Sequence, residues 1–348
     1  MSVLVIAEAG VNHGGDVAVA LELVTAAAAA GADVVKFQSF VTERSITRTA
    51  PKAAYQEATT GTGESQFEMV RRLELSPEAH ADIAAACERA GIEFLSTAFD
   101  AESFDMLVEL GIKRVKVASG ELTNLPLLRH VAACGLPMLL STGMATLDEV
   151  GAAIEVVEAA GTPRDRVTLL HCTTEYPAPI DEVNLRAIET LRSAFGLDVG
   201  YSDHTTGVDI AIAAAALGAT VIEKHVTLDR SLPGPDHRAS LEAGELAEMV
   251  AAIRRVEGAL GDGIKRPSPR ELANRAIARK SIVAARPIAA GERFSADNLA
   301  TKRPGTGLSP MAWDELIGRT ASRAYAADEQ IDGVERTAPT EPIEATGR

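Results

Sequence analysis

Residues 197–225 read LDVGYSDHTTGVDIAIAAAALGATVIEKH and contain one complete repeating unit of the chain. A short apolar run, Leu197–Gly200, ends in the polar tip Tyr201-Ser202-Asp203-His204. An Ala-rich helical stretch follows, and a second run, Thr220–Glu223, is tipped by Lys224-His225. Apolar runs without strict alternation suit strands buried on both faces of a parallel sheet. The unit recurs in both directions from this stretch. Val3–Ala7 ends in Glu8 and a Gly-Val-Asn-His-Gly-Gly loop. Asp33–Phe37 carries Lys36 and leads to Gln38, and Ile92–Leu95 leads to Ser96-Thr97. Arg114–Ala118 carries Lys116 and precedes Ser119-Gly120-Glu121, and Met138–Leu140 precedes Ser141-Thr142-Gly143. Val167–Leu170 precedes His171-Cys172-Thr173-Thr174. Eight strand-then-helix units before about residue 260 close most economically into a (β/α)8 TIM barrel, an α/β fold with its chemistry in the loops after the strands.

Punctuation sets the remaining boundaries. Asp16 is an N-cap candidate and Pro77 a first-turn proline, while a helix over about 242–260 closes the barrel. Residues 39–75, rich in Thr, Gly and Glu, read as a long irregular loop over the mouth. The barrel domain is therefore expected over 1–261. Residues 262–280 are polar, basic and Pro-containing, which predicts a linker. Residues 281–331 are too few for a second large core and predict a compact, mainly β module. The stretch 332–348 has no apolar periodicity and predicts a disordered tail.

The net charge of −15 argues against a nucleic-acid or anionic-membrane binder, whose footprint is basic. Ala-rich runs are broken by Gly and charge, so no membrane span is expected. MSVLVIAEAG lacks a basic start and turns polar after its apolar run, so it reads as a strand and not a signal peptide. Cys87, Cys134 and Cys172 show no metal or disulfide spacing. Buried free thiols in a reducing, cytoplasmic setting are expected.

The tips carry the chemistry. His204 and His225 leave consecutive strands, about 4.8 Å apart in a sheet, so two imidazoles can share one ion. Either histidine alone would read as a local hydrogen-bonder; together at a barrel mouth they favour Mn2+, Mg2+ or Zn2+ acting as a Lewis acid. Lys36 and Lys116 sit in apolar strands and need anionic partners, from the protein or from a ligand. Ser119-Gly120 and Ser141-Thr142-Gly143 each precede a helix start and offer hydroxyls and backbone N–H groups to a phosphate or carboxylate. Glu8, Glu121 and Glu223 are acid–base candidates or orienting partners for the lysines and histidines. His13 and His171 read as scaffold hydrogen-bonders. In Pro-Gly-Pro-Asp-His, Asp236 is the better polyol contact than His237.

Taken in order, Ile6-Ala7-Glu8-Ala9-Gly10-Val11-Asn12-His13, Val35-Lys36-Phe37-Gln38, Ser119-Gly120-Glu121, Ser141-Thr142-Gly143-Met144, Tyr201-Ser202-Asp203-His204-Thr205, Glu223-Lys224-His225 and Gly234-Pro235-Asp236-His237 closely resemble the sialic acid (nonulosonate) synthase family. Lys302-Arg303-Pro304-Gly305-Thr306-Gly307 resembles that family's antifreeze-like SAF domain. The resemblance spans about residues 3–331. It implies condensation of phosphoenolpyruvate with an N-acylated mannose-type aldehyde, giving a nine-carbon keto acid and phosphate. It also implies a divalent metal, Mn2+ or Mg2+, on His204 and His225. Lys36, Thr97, Lys116, Ser119, Ser141 and Ser202 would surround phosphoenolpyruvate, with Glu8 as the acid–base group. Gln38, Tyr176, Glu121 and Asp236 would face the sugar, and Arg303 would reach it from the partner of a domain-swapped homodimer. Ala98, Ala118 and Gly14 depart from the family pattern. Thr174, within Thr173-Thr174-Glu175-Tyr176-Pro177, stands where N-acetylneuraminate synthases often have Asn, and resembles the branch that makes legionaminic-type acids from 6-deoxy-2,4-diacetamido sugars. Two other readings compete with this one: a Schiff-base pyruvate aldolase using Lys116 or Lys224, and a non-enzymatic carbohydrate-binding protein.

Overall fold

The computed structural model describes residues 2–332. Eight parallel strands follow one another around a closed sheet: β1 (Leu4–Gly10), β2 (Val34–Ser39), β3 (Glu93–Ala98), β4 (Val115–Val117), β5 (Met138–Ser141), β6 (Val167–Cys172), β7 (Asp198–Asp203) and β8 (Val221–Thr227). β1 closes onto β8 with Leu4 opposite Val221 and Glu8 opposite His225. A helix follows each strand, ending with Ala243–Leu260, as the repeating unit requires. Asp16 caps its helix by accepting from the Ala18 N–H, and Pro77 occupies the first turn of Pro77–Ala90 behind the Ser76 cap.

Most strands run further than their apolar segments. β1, β3, β6, β7 and β8 continue into the polar tips, so Glu8, Thr97, Cys172, Ser202 and His225 are strand residues. The cause is the two-residue period of a strand. Ile6, Val34, Leu95, Leu139, Leu170 and Val221 form a buried cluster apart from the main core, with Leu4 packed against it. These inward positions fill the barrel below the mouth. The main core lies outside the sheet, where Val5, Val35, Phe37, Leu140, Val199 and Ile222 meet the helices. β7 contributes Gly200 to the inward row, because a Cβ there would stand 2.6 Å from both the Val221 carbonyl oxygen and a Leu170 methyl.

Residues 39–75 are not irregular. They fold into three short helices, Thr42–Ser45, Ala54–Thr60 and Gln66–Arg71. Ser65 and Glu68 cap the last of these reciprocally, and it buries Phe67 and Met69. The Lys52 ammonium ties the segment together through Thr60 Oγ1 (2.9 Å), the Gly61 carbonyl (3.0 Å) and Glu64 (3.2 Å).

The chain divides at Asp262/Gly263 into two compact units. The second is built on an antiparallel pair, Ser281–Ala284 with Leu299–Lys302, around Ile282, Ile288, Phe294, Leu316 and Tyr325. The stretch expected as a linker, 262–280, contains the helix Pro269–Ala278, started by a Ser268–Glu271 capping box. A polar, Pro-bearing sequence concealed it, because this helix buries none of its side chains and so shows no apolar stripe. The tail expected over 332–348 lies, beyond Asp332, outside the described residues.

Lys224 and Asp203 are both fully buried and joined at 2.7 Å. Asp203 Oδ1 also accepts from Thr205 N and Oγ1, so the carboxylate is satisfied from two sides. Removing the ammonium strands a buried charge, which costs about 3–5 kcal/mol. Lys224→Met is therefore expected to lower unfolding free energy by about that amount in urea titrations; a loss below about 1 kcal/mol would show that the pair carries no structural weight.

Candidate active site

Two residues beyond the apolar inward row, the barrel interior turns polar. The positions are Glu8, Lys36, Thr97, Ser141, Cys172 and Glu223, each two after a member of the hydrophobic cluster. Lys116 from β4 and Ser202 from β7 complete a row with one residue per strand. All eight line one cavity of about 380 Å³, within the usual range for small-molecule sites. Two residues further on stand Gln38, Phe99, Thr174, His204 and His225, which also line it.

Charge in this row is balanced and buried. Lys36 Nζ lies 2.8 Å from Glu8 Oε2, 3.7 Å from Glu223 Oε2 and 3.0 Å from Thr97 Oγ1. Burial works against the Lys36 charge, but Glu223 and Glu8 outweigh it and hold its pKa above the usual value. Burial also opposes ionisation of Glu223, and there Lys116 and Lys36 prevail, holding the carboxyl down at about 2. At Glu8 burial wins over Lys36 and Glu223 adds to it, so the carboxyl is pushed up to about 7. The two carboxyls thus have different protonation tendencies, the usual mark of an acid–base site. Gln38 Nε2 donates to Glu8 Oε1 at 3.2 Å and fixes its orientation.

Lys116 is the less committed cation. Among the described residues its nearest carboxylate, Glu223, is 3.7 Å away, and its one hydrogen bond, to the Val117 carbonyl, is 3.3 Å long. Burial lowers its pKa. Nearby, Ser141 Oγ and Thr174 Oγ1 are buried without a hydrogen-bond partner among the described residues. Ser119 Oγ accepts from Gly143 N–H (3.0 Å) and meets Cys172 Sγ at 3.1 Å. A Cβ on Gly143 would fall 2.8 Å from that hydroxyl and 2.9 Å from that sulfur, so only glycine lets the β5 tip approach. An ammonium and orphaned hydroxyls at the ends of β4, β5 and β6 form a cradle for an anion.

The imidazoles of His204 and His225 stand on the other side, with ring centroids 5.4 Å apart. Tyr176 stacks on His204 at 4.1 Å and meets His225 edge-on at 5.5 Å. Burial pushes His204 down to about 4 and His225 well below its ordinary value, so both are neutral at pH 7. His204 Nδ1 donates to the Thr173 carbonyl (2.6 Å), which leaves Nε2 with its lone pair. His225 Nδ1 is buried without a hydrogen-bond partner among the described residues, 3.8 Å from Asp236 Oδ2, and burial raises that carboxyl to about 6. Two neutral, partly orphaned imidazoles beside a carboxylate fit a divalent ion. No cluster of three or more His, Cys, Asp or Glu suited to a metal occurs among the described residues, so an ion held by the pair would keep positions for substrate and water.

Most of the expected residues therefore converge. Glu121 does not: its carboxylate accepts from Asn124 Nδ2 (2.6 Å), and it does not line the cavity. Arg303 lies in the second unit, its Nε donating to the Ala278 carbonyl. Lys224 is sealed against Asp203 and is likewise absent from the cavity wall. Among the cysteines, Cys134 is exposed, whereas Cys87 and Cys172 are buried. His13 and His171 hydrogen-bond within the scaffold as expected, His13 accepting from Gly15 N–H and His171 bonding the Val183 carbonyl, and His237 bonds Thr227 Oγ1. The site also recruits residues the motifs did not mark, namely Cys172 and the lid residues Phe40, Tyr55, Gln56, Gln66 and Met69. For Cys172 the signal was present in the two-residue step from Leu170. The lid side chains had no such marker.

A closed parallel barrel with this polar, charged row at its mouth, followed by a small β module, defines a (β/α)8 barrel of the enzyme class. More particularly, the chain belongs to the NeuB family, whose model matches residues 23–265, and a SAF domain matches residues 279–334. It is 52% identical to the N,N'-diacetyllegionaminic acid synthase of Campylobacter jejuni, over 94% of this chain and 98% of that protein. The Legionella pneumophila enzyme of the same name is 46% identical over 94% and 92%. The sialic acid synthetase of Leptospira borgpetersenii, solved in complex with citrate, superposes with a TM-score of 0.70 at 35% identity, covering 79% of this chain and 90% of that one.

If Lys116 is the main anion contact, millimolar inorganic phosphate should raise the melting temperature of the wild type and leave that of Lys116→Met unmoved, since ligand binding to the folded state stabilises it. Equal shifts in the two proteins would place the anion elsewhere.

Proposed function

We propose that this protein condenses phosphoenolpyruvate with 2,4-diacetamido-2,4,6-trideoxymannose and water, giving N,N'-diacetyllegionaminic acid and phosphate, with N-acetylmannosamine as the alternative acceptor. The observation that carries the reading is the pairing, in one cavity, of an uncommitted buried lysine and orphaned hydroxyls with two neutral imidazoles. The names of the relatives at 52% and 46% identity support the choice of acceptor.

Lys116, Ser119, Ser141 and Ser202 hold the phosphate and carboxylate of the enol ester, with Lys36 and Thr97 beneath it. A divalent ion, Mn2+ or Mg2+, held by His204 and His225 would polarise the aldehyde oxygen of the open-chain sugar. C3 of the enol ester attacks the aldehyde carbon, and positive charge develops at C2. Glu223, ionised between two lysines, faces that charge. Water adds at C2 and loses a proton, and C–O cleavage then releases phosphate and leaves the keto acid. Glu8, fixed by Lys36 and Gln38, takes the proton that the added water loses and supplies one to the former aldehyde oxygen. Tyr176, Gln38, Thr174 and Asp236 position the sugar. Arg303 meets the acyl group from the partner subunit of a domain-swapped homodimer, and the enzyme works in the cytoplasm.

EDTA or His204→Ala is expected to lower phosphate release at least about a thousandfold with the circular dichroism spectrum unchanged. Wild-type turnover in either case would remove the metal from the reading. A chelator-resistant enzyme trapped by borohydride with pyruvate would instead be a Schiff-base aldolase using Lys116. Subunit exchange is tested separately, by mixing Arg303→Ala and His204→Ala proteins, each of low activity. Recovered turnover in the mixture is the expected result, because a swapped dimer pairs an intact barrel with an intact arginine. No recovery would mean that each barrel uses its own module or none.

A further inference from the structure

The cavity has two chemically different sides. The strand-borne row is charged, but the side over β1 to β3 is apolar. Val11, Phe40 and Leu73, with Val70 and Phe99 packed on them, form a hydrophobic cluster separate from the barrel core. All five line the cavity, together with Met69. At this side Gln66 Nε2 donates to Gln56 Oε1 (3.3 Å), and Ala53 N–H donates to the same oxygen (3.0 Å). Those bonds use the Gln56 oxygen and one Gln66 N–H, and one Gln56 N–H turns to the Tyr55 hydroxyl. The Gln66 oxygen and the second Gln56 N–H are left, an acceptor and a donor on adjoining amides. That is the complement of one acylamino group, which offers a C=O and an N–H.

The anion cradle at β4 to β6 and the imidazoles of β7 and β8 assign the aldehyde end of the acceptor to the charged side, so its far end meets the apolar side. A polyhydroxylated end would turn hydroxyls onto Phe, Leu, Val and Met side chains, losing water without gaining partners. A methyl group loses nothing there. The lid that carries this wall is held over the mouth: Tyr55 packs against Tyr176 with ring centroids 5.0 Å apart, and Lys52 ties the segment internally.

We propose that Gln56 and Gln66, with the wall of Phe40, Met69, Val70 and Leu73, determine acceptor specificity, selecting a sugar with a second acylamino group and a terminal methyl in place of hydroxymethyl. This rests on the condensation proposed above and assigns its discrimination to the lid, away from the strand residues.

The test is phosphate release from phosphoenolpyruvate by the full-length, metal-loaded protein with three acceptors: 2,4-diacetamido-2,4,6-trideoxymannose, 2-acetamido-2,6-dideoxymannose and N-acetylmannosamine. The readout is the ratio of kcat/KM between acceptors for each protein, which does not depend on the folded fraction. Gln56→Met/Gln66→Met, close in shape but without the amides, is expected to cut the preference for the diacetamido over the monoacetamido 6-deoxy sugar at least about tenfold. Val70→Thr, which puts a hydroxyl on the wall, is expected to cut the preference for 6-deoxy over 6-hydroxy sugar by about threefold or more. Wild-type turnover with ratios unchanged in both variants would overturn the assignment while leaving the condensation standing. A metal-loaded wild type that releases no phosphate with any of the three would overturn the condensation and this assignment together.

Discussion

Two ammonium groups and two carboxylates are enclosed at one end of a barrel, each within 4 Å of an opposite charge, and the rest of the site is arranged around that arrangement. No member of the set is stable alone in so dry a place. Lys36 sits between Glu8 and Glu223, and Glu223 between Lys36 and Lys116. The chain of contacts leaves one cation partly uncompensated and one carboxyl near neutrality. In the proposed reaction both have a use: the first would attract an anion, and the second would exchange a proton at ordinary pH. The apolar row below shuts out water from beneath, so the charges act in a poorly screened environment.

Burial is what keeps the histidines neutral, and at His225 the neighbouring His204 and Lys36 add to it. Kept neutral, His204 and His225 present lone pairs, and Tyr176 packs on both rings and limits their rotation. The proposed anion cradle is centred on β4, β5 and β6 with Ser202 of β7 at its edge, and the imidazoles come from β7 and β8. A donor and an acceptor can therefore occupy adjacent parts of one cavity without competing for the same groups.

Much of this was legible in the chain. The eight apolar runs and their polar tips specify the barrel and bring His204, His225, Lys36, Lys116, Glu8 and Glu223 to one end. The runs understated the strands because the side chains that continue them are polar and face inward, so hydrophobicity ends before the hydrogen-bonded ladder does. Counting in twos from Leu170 or Val221 would have extended them. The lid helices escaped notice because they are short and bury few side chains, although Ser65-Gln66-Phe67-Glu68 is a readable capping box. Glu121 looked like a site carboxylate from its position after Ser119-Gly120. A local bond to Asn124 turns it aside, and pattern alone does not report that.

The side chains that make or break bonds in the proposed reaction sit on strands of a closed sheet, whereas Phe40, Tyr55, Gln56, Gln66, Met69, Val70 and Leu73 lie on a single excursion between β2 and the helix Pro77–Ala90. That excursion has its own internal ties through Lys52 and the Ser65 cap, and none of these side chains belongs to a barrel strand. Descendants of such a chain have a way to drift toward new partners for the same chemistry: edit one loop and inherit the reaction centre intact.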